Sequence, residues 1–426
     1  MSTTIPSSDN KLHKAREVFQ GQATRALVAA LEVCARCGLC AETCHYHVAD
    51  PKVEHTPAYR GEVLRRFYRR WHDPLGRLFP KWVGAAALTE ADLQKLAHVA
   101  FETCSLCRRC ALNCPMGIDT AELVRSLRAM LTATGYAPEI LEQLADAAIQ
   151  REESIEFFKE SYLEQIGGLE KELQARTGDP QARISVAKDG AEILYVALSG
   201  AHTILPAAEI FHEAGANWTL SLYEASNYGV FLSDLARARA IAGRIVNEAR
   251  RLGVKELVIT ECGHAYATFR WSVPDWFGPL PFRVRSILEV VADYLKEGRL
   301  KVDPRANPEP VTYHDSCNLA RNGGVVEEPR FILKRVVQDF REMTPHGYEN
   351  YCCGGGGGLV ANLDAMEVRL KAGWPKAQQI QATGARKVAV ACDNCRLQIG
   401  DLSEHYGLGV EATGVCDLVC NALVKN

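Results

Sequence analysis

Five cysteines in the last third of the chain have the residue type and the spacing to bind a metal or to do redox chemistry. They are Cys317, the adjacent pair Cys352–Cys353, and Cys392 and Cys395, in the order C…CCG…CxxC. Two adjacent cysteines do not readily close on each other as a disulfide, and CxxC is a chelating spacing. The pattern therefore predicts a metal or redox centre.

The cysteine pair is followed by five consecutive glycines, Gly354–Gly358. Glycine has no Cβ and readily adopts a positive φ, so the run lets backbone approach closely. This suits a loop that wraps an inorganic cluster or admits a bulky thiol. A flexible linker is the alternative, but Leu359 and Val360 resume an apolar pattern at once. We therefore interpret the run as part of the site.

Eight cysteines nearer the N-terminus form two copies of the spacing C-x2-C-x2-C-x3-C. In two-cluster ferredoxins, three cysteines of such a run bind one [4Fe–4S] cubane and the fourth reaches across to the other. Zinc is the alternative, but zinc sites rarely show this three-plus-one spacing twice. The predicted ligand sets are Cys34, Cys37, Cys40 and Cys114 for one cluster, and Cys104, Cys107, Cys110 and Cys44 for the other.

The two cysteine runs differ at the residue that follows the fourth cysteine. Cys114 is followed by Pro115, whereas Cys44 is followed by His45. A proline at this place ends a turn and shields the cluster. We therefore expect the cluster that Cys44 serves to be more solvated or otherwise tuned, with the same number of ligands.

The composition is that of an ordinary globular protein: 47% hydrophobic, 24% charged, with a formal net charge of −3. Nothing in this balance suggests binding to nucleic acid. No apolar run reaches about 18 residues, so we expect no transmembrane segment. The N-terminus lacks the apolar core of a secretory signal, and sixteen cysteines without such a signal indicate metal thiolates in a reducing compartment. We therefore expect a cytoplasmic protein.

The second half of the chain alternates short apolar strands, such as ILYVAL and KVAVAC, with helical segments. Such alternation predicts α/β units on a mostly parallel sheet, with ligand-bearing loops at the carboxyl ends of the strands. GVKELVITECGHA also resembles GARKVAVACDNCR, so we predict two repeats. Aligned without gaps from their first glycines, Glu261 lies opposite Cys392 and His264 lies opposite Cys395.

The first repeat keeps a cysteine only at Cys262, within Glu261-Cys262-Gly263-His264. The Glu/Cys/His trio could bind zinc or another metal. Cys262 and His264 could instead face the cluster of the second repeat and supply a thiol and a proton. A structural remnant is the third interpretation. We favour the second.

The helix that closes the second repeat carries Cys416 and Cys420. The repeat aligns them with Leu288 and Ala292, which are apolar positions on the closing helix of the first repeat. A C-x3-C pair on a helix is more often buried packing than a ligand pair. We therefore expect both thiols in the core.

A basic and aromatic stretch lies in an insertion between the two cysteine runs. RRFYRRW at 65–71 is followed by LGRLFPKWVGAAAL. Basic residues interleaved with aromatics suit docking on an acidic partner or a membrane surface. The alternative, a solvated helix face with its aromatics packed inward, is the one that we favour.

These motifs resemble those of the heterodisulfide reductases and their relatives, over about residues 29–426. C…CCG…CxxC is similar to their cysteine-rich CCG domain, and a dicluster ferredoxin module ahead of two CCG repeats resembles the fused subunit of the membrane-linked enzymes. One intact repeat is more like the heterodisulfide-reductase-like subunits of sulfur metabolism. The iron–sulfur subunits of glycolate, lactate and glycerol-3-phosphate oxidases share the same architecture.

The resemblance implies an α+β chain overall, in which an N-terminal α-helical dicluster ferredoxin module precedes two α/β CCG repeats. The predicted segments are residues 1–28 (N-terminal lead), 29–135 (dicluster ferredoxin domain, with an insertion at 45–103), 136–190 (helical connector), 191–300 (degenerate CCG repeat) and 301–426 (intact CCG repeat).

In this family an intact CCG repeat holds a noncubane [4Fe–4S] cluster that cleaves or forms disulfide- or persulfide-type bonds. The matching residues are Cys317, Cys352, Cys353, Cys392 and Cys395. The resemblance therefore implies an oxidoreductase that exchanges electrons, through two cubanes, with a thiol or disulfide substrate or a sulfur-carrier protein. The alternative is an electron-transfer subunit of a flavin-dependent 2-hydroxy-acid or glycerol-3-phosphate dehydrogenase.

Three further residues are candidates for proton transfer or substrate steering. His314 and His264 have an ordinary pKa near neutrality, and Arg321 could attract an anionic thiol or a carrier surface. Ordinary packing is the alternative for each. No G-x-G-x-x-G follows a strand, so we expect no flavin or nucleotide in this chain. This chain must then exchange electrons with a separate flavoprotein or membrane cytochrome, and such a partner could hold the chain at a membrane.

Overall fold

The computed structural model describes residues 8–153, 155–198 and 200–424. The chain divides into two compact units, and neither is one continuous stretch. The first unit comprises Met1–Gln143, Tyr228–Leu235 and Tyr351–Lys376; the second comprises Leu144–Asn227, Ala236–Asn350 and Ala377–Asn426. Cys352 and Cys353 therefore belong to the first unit, and the other three cysteines of the CCG motif belong to the second.

The described residues are mostly helical. In chain order the α-helices are α1 (Ser8–Gln22), α2 (Arg25–Val33), α3 (Leu39–Thr43), α4 (His45–Ala49), α5 (Pro57–His72), α6 (Pro74–Leu78), α7 (Pro80–Val83), α8 (Glu90–Phe101), α9 (Arg109–Leu112), α10 (Thr120–Ala133), α11 (Glu139–Glu153), α12 (Ile155–Thr177), α13 (Ala201–Glu213), α14 (Tyr228–Leu232), α15 (Leu235–Leu252), α16 (Gly263–Ala267), α17 (Val273–Phe277), α18 (Ile287–Lys296), α19 (Glu327–Val336), α20 (Met366–Ala372), α21 (Trp374–Thr383), α22 (Asp393–Tyr406) and α23 (Val415–Ala422).

Within the described residues, eight strands form two four-stranded parallel sheets, both in the second unit. The sheet orders are β2-β1-β3-β4 and β6-β5-β7-β8. The strands are β1 (Ile193–Val196), β2 (Trp218–Leu220), β3 (Glu256–Ile259), β4 (Arg283–Ser286), β5 (Pro310–His314), β6 (Asp339–Arg341), β7 (Lys387–Val390) and β8 (Glu411–Gly414). The mixture of helices with parallel sheets agrees with the predicted fold class.

The central strands are short apolar runs because helices cover both faces of each sheet. All four residues of β1 are buried, as are the last three of β3 and of β7. Continuous burial of this kind is typical of parallel sheets. The two sheets therefore share one large apolar core with their helices.

Each sheet changes direction between its two central strands. From β5 the chain moves outward to β6 and then returns to the other side of β5 as β7. Ligand sites in such sheets form in the crevice outside the carboxyl ends of the strands at this switch point. The loops after β5 and β7, which carry Cys317 and Cys392, both lie there.

Several helices begin at side chains that bind free backbone N–H groups. Thr56 caps α5, whose first residue is Pro57. Thr89 with Asp92 caps α8, and Ser286 caps α18 in the same reciprocal manner. These caps set the starting points of α5, α8 and α18. Within the described residues, no helix is both long and apolar enough to span a bilayer.

Candidate iron–sulfur centre

One predicted set of cubane ligands lines a single cavity in the first unit. Its four thiols line a small cavity, with about 20 Å³ of space open to a water-sized sphere. Burial raises the pKa of Cys110 well above its ordinary value, and the nearby thiols of Cys107, Cys44 and Cys104 raise it further. Four neighbouring thiolates repel each other, and a cationic iron–sulfur core between them would remove that repulsion. The lining cysteines are Cys44, Cys104, Cys107 and Cys110.

The other predicted set is nearer to solvent. Burial raises the pKa of Cys40, as do the neighbouring thiols of Cys34, Cys44 and Cys114. Cys37 is exposed. The set that includes Cys44 is therefore the less exposed one, contrary to the expectation of a more solvated site, while the alternative expectation of a differently tuned cluster stays a prediction. His45, which is 1% exposed, itself fills the space beside Cys44.

A buried cation lies against the first cavity. Arg60 is 1% exposed, and its Nη1 donates to Cys44 Sγ at 3.6 Å. It also donates to the carbonyl oxygens of His55 and Thr103. Burial alone would lower the pKa of Arg60, but Cys44 and Cys104 raise it above its ordinary value. A guanidinium in this place offsets the negative charge of a thiolate-bound cluster.

The same cavity touches the cysteine pair of the CCG motif. The hydroxyl of Ser105 lies 3.4 Å from Cys352 Sγ and 3.4 Å from His45 Nε2. A hydrogen bond with Cys352 is the largest cause that raises the pKa of Cys107, while His45 acts in the opposite direction. Thus Cys352 lies beside Cys107, with Ser105 and His45 as their polar neighbours.

The glycine run packs against the backbone of the ferredoxin loop. A Cβ on Gly356 would lie 3.0 Å from the carbonyl oxygen of Ser105, and one on Gly357 would lie 3.2 Å from it. Gly357 has a φ of +67°. A side chain at either position would push the run away from Ser105. The run therefore allows the close approach that holds Cys352 beside the cavity.

Arg128 fastens these segments together. Its side chain is fully buried and donates to the carbonyl oxygens of Ala100, Cys104, Phe231 and Gly357. Burial lowers its pKa to about 10. Four carbonyl acceptors satisfy the guanidinium without a carboxylate. One residue therefore links the cubane loop to the glycine run.

In the second unit, the crevice between β5 and β7 carries three cysteines of the motif. Cys317 follows β5 by three residues, Cys392 is the N-cap of α22, and Cys395 lies in its first turn. All three are buried. His314, the fully buried last residue of β5, pairs in register with Val390. The crevice thus brings His314 to the strand ends that carry the thiols.

The surroundings of Cys392 favour its thiolate form. A hydrogen bond from Cys395 lowers its pKa, and backbone N–H groups of Cys395 and Gly263 lower it further against the effect of burial. The N–H groups at a helix N-terminus favour an anion. The thiolate form of Cys392 is therefore stabilised, as a ligand to iron requires.

Cys262 and His264 form a buried pair. Cys262 Sγ lies 3.3 Å from His264 Nδ1, and the backbone N–H of Asn227 donates to His264 Nε2 at 3.4 Å. Since Nε2 accepts, Nδ1 carries the proton and donates to the thiol sulfur. Burial lowers the pKa of His264 to about 4. Burial also raises the pKa of Cys262, and the nearby charge of Cys392 raises it further. At neutral pH this is a neutral thiol beside a neutral imidazole.

Glu261 does not join that pair. Its Oε1 accepts from the backbone N–H of Val415 at 2.8 Å and of Cys416 at 3.4 Å. The carboxyl group of Glu261 thus caps the start of α23. Among the described residues, Glu261, Cys262 and His264 do not converge as a metal-binding group. Cys262 is the N-cap of α16, and Cys392 is the N-cap of the corresponding helix, α22, after the second sheet's β7.

Arg321 contacts backbone in the second unit. Its Nε donates to the carbonyl oxygen of Tyr348 at 2.7 Å, and its Nη2 donates to that of Asn350 at 2.5 Å. The side chain therefore holds the segment that leads into the cysteine pair. Cys416 and Cys420 are buried on α23 at the positions that Leu288 and Ala292 occupy on α18.

Three residues of the first unit contribute to the site without having been predicted from the sequence. Ser105 lies between two cysteines of a cluster run, which was an available signal for a sulfur contact. Arg60 and Arg128 gave no such signal, since a buried arginine cannot be told from a surface one by its spacing. All three contact cysteines or their backbone.

Two domain families match the chain. The 4Fe-4S dicluster domain matches residues 30–118, and the cysteine-rich domain CCG matches residues 311–400. The first match covers both cubane motifs. The second covers all five cysteines of the C…CCG…CxxC pattern.

Three relatives align with nearly the whole chain. The Hdr-like menaquinol oxidoreductase iron-sulfur subunit 2 of Archaeoglobus fulgidus is 32% identical over 92% of this chain and 80% of its own length. The Hdr-like menaquinol oxidoreductase iron-sulfur subunit of Archaeoglobus profundus is 31% identical over 94% and 80%. One subunit of the dihydromethanophenazine:CoB–CoM heterodisulfide reductase of Methanosarcina mazei is 25% identical over 99% of each chain.

Proposed function

The chain belongs to the family of heterodisulfide reductase-like iron–sulfur subunits, and we propose that it cleaves or forms a sulfur–sulfur bond within a redox complex. As in its relatives, the coarse role is that of an iron–sulfur oxidoreductase subunit. The proposed route passes electrons through two [4Fe–4S] cubanes to or from a noncubane [4Fe–4S] cluster. The substrate class is a disulfide, a persulfide or the corresponding thiols.

The observation that carries this proposal is the contact between Cys352 and Cys107. Cys352 belongs to the CCG motif, and Cys107 is a predicted cubane ligand. Ser105 contacts Cys352 and His45, and His45 also contacts Cys107. Electrons that reach the cubane cavity therefore need no intervening group to reach the CCG motif. A two-electron reaction at sulfur requires a chain of electron carriers that reaches the site of reaction.

The proposed holders of the noncubane cluster follow from the motif. They are Cys317, Cys352, Cys353, Cys392 and Cys395. Five thiols exceed what one cubane needs. When bound, such a cluster can hold substrate sulfur at iron and accept or release the two electrons singly. The degenerate first repeat, residues 191–300, would contribute Cys262 and His264 to the same crevice.

The reaction balances as a disulfide plus two electrons and two protons giving two thiols. The neutral imidazole of His264 donates its Nδ1–H to the sulfur of Cys262, and its pKa of about 4 leaves it no further proton to release at neutral pH, so the pair would supply a positioned thiol near Cys392. His314, at the end of β5, is the proposed proton carrier. The contacts of Arg321 with backbone favour a role in positioning the chain ahead of Cys352 rather than in steering substrate.

The partners are proposed from the same reasoning. A flavoprotein or a membrane cytochrome would exchange electrons with the exposed cluster set that includes Cys37. The alternative role, as the relay subunit of a flavin-dependent dehydrogenase, is not favoured by the relatives described above. Their names are those of a menaquinol oxidoreductase and of a heterodisulfide reductase.

A direct assay tests the proposal. Protein purified without oxygen is mixed with a reduced low-potential dye and then with candidate disulfides or persulfides. We expect dye oxidation with two thiols formed for each disulfide consumed. Dye oxidation that needs a flavoprotein or a quinone, with no thiol formed from any disulfide, would support the relay role instead.

Ser105→Ala tests the contact itself. The variant removes the hydroxyl beside Cys352 Sγ, and hydrogen bonds to sulfur raise cluster potentials. We expect a midpoint potential lowered by some tens of millivolts. Ser126→Ala is the matched control, because Ser126 is a buried serine of α10 in the same unit. Equal potentials in the two variants would argue against the contact.

A further inference from the structure

A short helical hairpin in the first unit exposes four large apolar side chains. Leu75, Leu78, Phe79 and Trp82 are 46%, 71%, 56% and 80% exposed. Leu75 and Leu78 lie three residues apart on α6, Phe79 joins α6 to α7, and Trp82 lies on α7. The rings of Phe79 and Trp82 meet edge to face, with centroids 6.3 Å apart. We call these four residues the hairpin face.

Arginines of α5 hold the hairpin backbone in place. Arg69 donates to the carbonyl oxygen of Val83 at 2.8 Å, and Arg70 donates to those of Gly76 at 3.2 Å and Arg77 at 2.9 Å. A Cβ on Gly76 would collide with the carbonyl oxygen of Arg69. The backbone of the hairpin is therefore held against α5, while the four side chains of the hairpin face stay exposed.

The two interpretations of the basic and aromatic stretch apply to different parts of it. Phe67 and Trp71 of α5 are buried, as expected for aromatics packed inward. The next aromatics, Phe79 and Trp82, point outward instead. The docking interpretation therefore applies to the hairpin and the packing interpretation to α5.

The charges around the hairpin face are basic. Arg77 and Lys81 alternate with its apolar residues and are both exposed. Between Pro74 and Thr89 the sequence has no aspartate or glutamate. Tryptophan, phenylalanine and leucine between lysine and arginine are typical of segments that lie at the boundary of a bilayer. Long basic side chains reach the headgroups while the apolar ones enter the acyl region.

The size of the face also favours lipid over a protein partner. Four side chains offer a few hundred Å², whereas a stable protein interface buries about 800 Å² on each partner. Shallow insertion into a bilayer has no such threshold. We propose that the hairpin face inserts into the surface of an anionic lipid bilayer. This binding is independent of the chemistry proposed for the cysteines.

Vesicle sedimentation tests the proposal with the full-length protein. Vesicles of phosphatidylcholine alone are compared with vesicles that also contain phosphatidylglycerol. We expect binding to the anionic vesicles, and roughly fivefold to tenfold weaker binding for Leu78→Ser. The matched control is Leu363→Ser, since Leu363 is 76% exposed in the same unit. An equal loss in both variants, or no binding by the unmodified protein, would overturn the proposal.

Quenching by brominated lipid tests insertion separately from adsorption. Trp82 fluorescence should be quenched on binding, and Trp82→Phe should keep the binding but lose that component of quenching. Lys81→Gln should weaken binding to anionic vesicles by about fivefold. Binding without any Trp82-dependent quenching would show adsorption through charge alone and would contradict insertion.

Discussion

The crevices of the two parallel sheets in the second unit have the same strand order but different chemistry at the strand ends. After β7 the helix N-cap is Cys392, and Cys395 follows in the first turn. After β3 the helix N-cap is Cys262, and His264 follows. The strand order thus fixes where a reactive loop lies, and the residues at the helix start decide what it can bind.

Glu261 shows how the first crevice differs in detail. The gapless alignment puts it opposite Cys392, but its carboxyl group turns to the N-terminus of α23. The adjacent residue, Cys262, takes the N-cap position instead. One residue of difference between strand end and helix start therefore changes which side chain faces the crevice.

The largest effect is expected when the second crevice loses a thiol. Cys395→Ala should remove the noncubane cluster, which is about four of about twelve iron atoms, and abolish turnover. Cys416→Ala is the control, because Cys416 is buried in the core on α23. Iron content by colorimetry and electron paramagnetic resonance (EPR) spectra measure the outcome. If both variants keep all their iron, Cys395 is not a ligand.

The equivalent change in the first crevice should spare the iron. Cys262→Ala should keep about twelve iron atoms and reduce turnover by about tenfold or more, because it removes a thiol that His264 and Cys392 adjoin. Undiminished turnover with full metal content would reduce Cys262 to a structural remnant. Loss of iron would instead make it a ligand.

The carboxyl of Glu261 should make stability depend on pH. Burial and the charge of Asp417 raise its pKa to about 8. Its stabilising contribution is therefore complete below its ordinary pKa and is lost as pH rises through about 8. Between about pH 5 and pH 8 we expect a loss on the order of 3 to 4 kcal/mol. Glu261→Gln should flatten this decline in thermal denaturation, and an unchanged slope would contradict the assignment.

The smallest effect concerns the close approach of the loops after β3 and β5. A Cβ on Gly263 would lie 3.0 Å from Leu319 N and 3.2 Å from Asn318 Cβ. Gly263→Ala should therefore destabilise the protein by about 1 kcal/mol. Gly167→Ala, in α12, meets nothing within 4 Å and should stabilise slightly. Thermal midpoints that move together would show that the loops can separate freely.

The cysteine spacing and the strand pattern predicted much of this arrangement. The spacing groups Cys44 with the second cysteine run, and these thiols line one cavity. The alternation of short strands with helices predicted parallel sheets with cysteine loops at their carboxyl ends. Such features are local in sequence or follow from general rules of α/β topology.

The rest depends on contacts between distant segments. The carbonyls bound by Arg128 join residues separated by up to 229 positions, and the glycine run contacts Ser105 across a still longer stretch of sequence. Periodicity carries no information on such pairs. The outward direction of Trp82 was also beyond the sequence, because the basic and aromatic pattern continues unchanged from α5 into the hairpin.

An iron count combined with EPR during oxidation tests the central claim most directly. The protein is purified without oxygen, and spectra are recorded with and without candidate thiols. The account predicts about twelve iron atoms and a new signal on oxidation that a thiol perturbs. About eight iron atoms, with only ferredoxin-like signals on reduction, would contradict a cluster at the CCG cysteines.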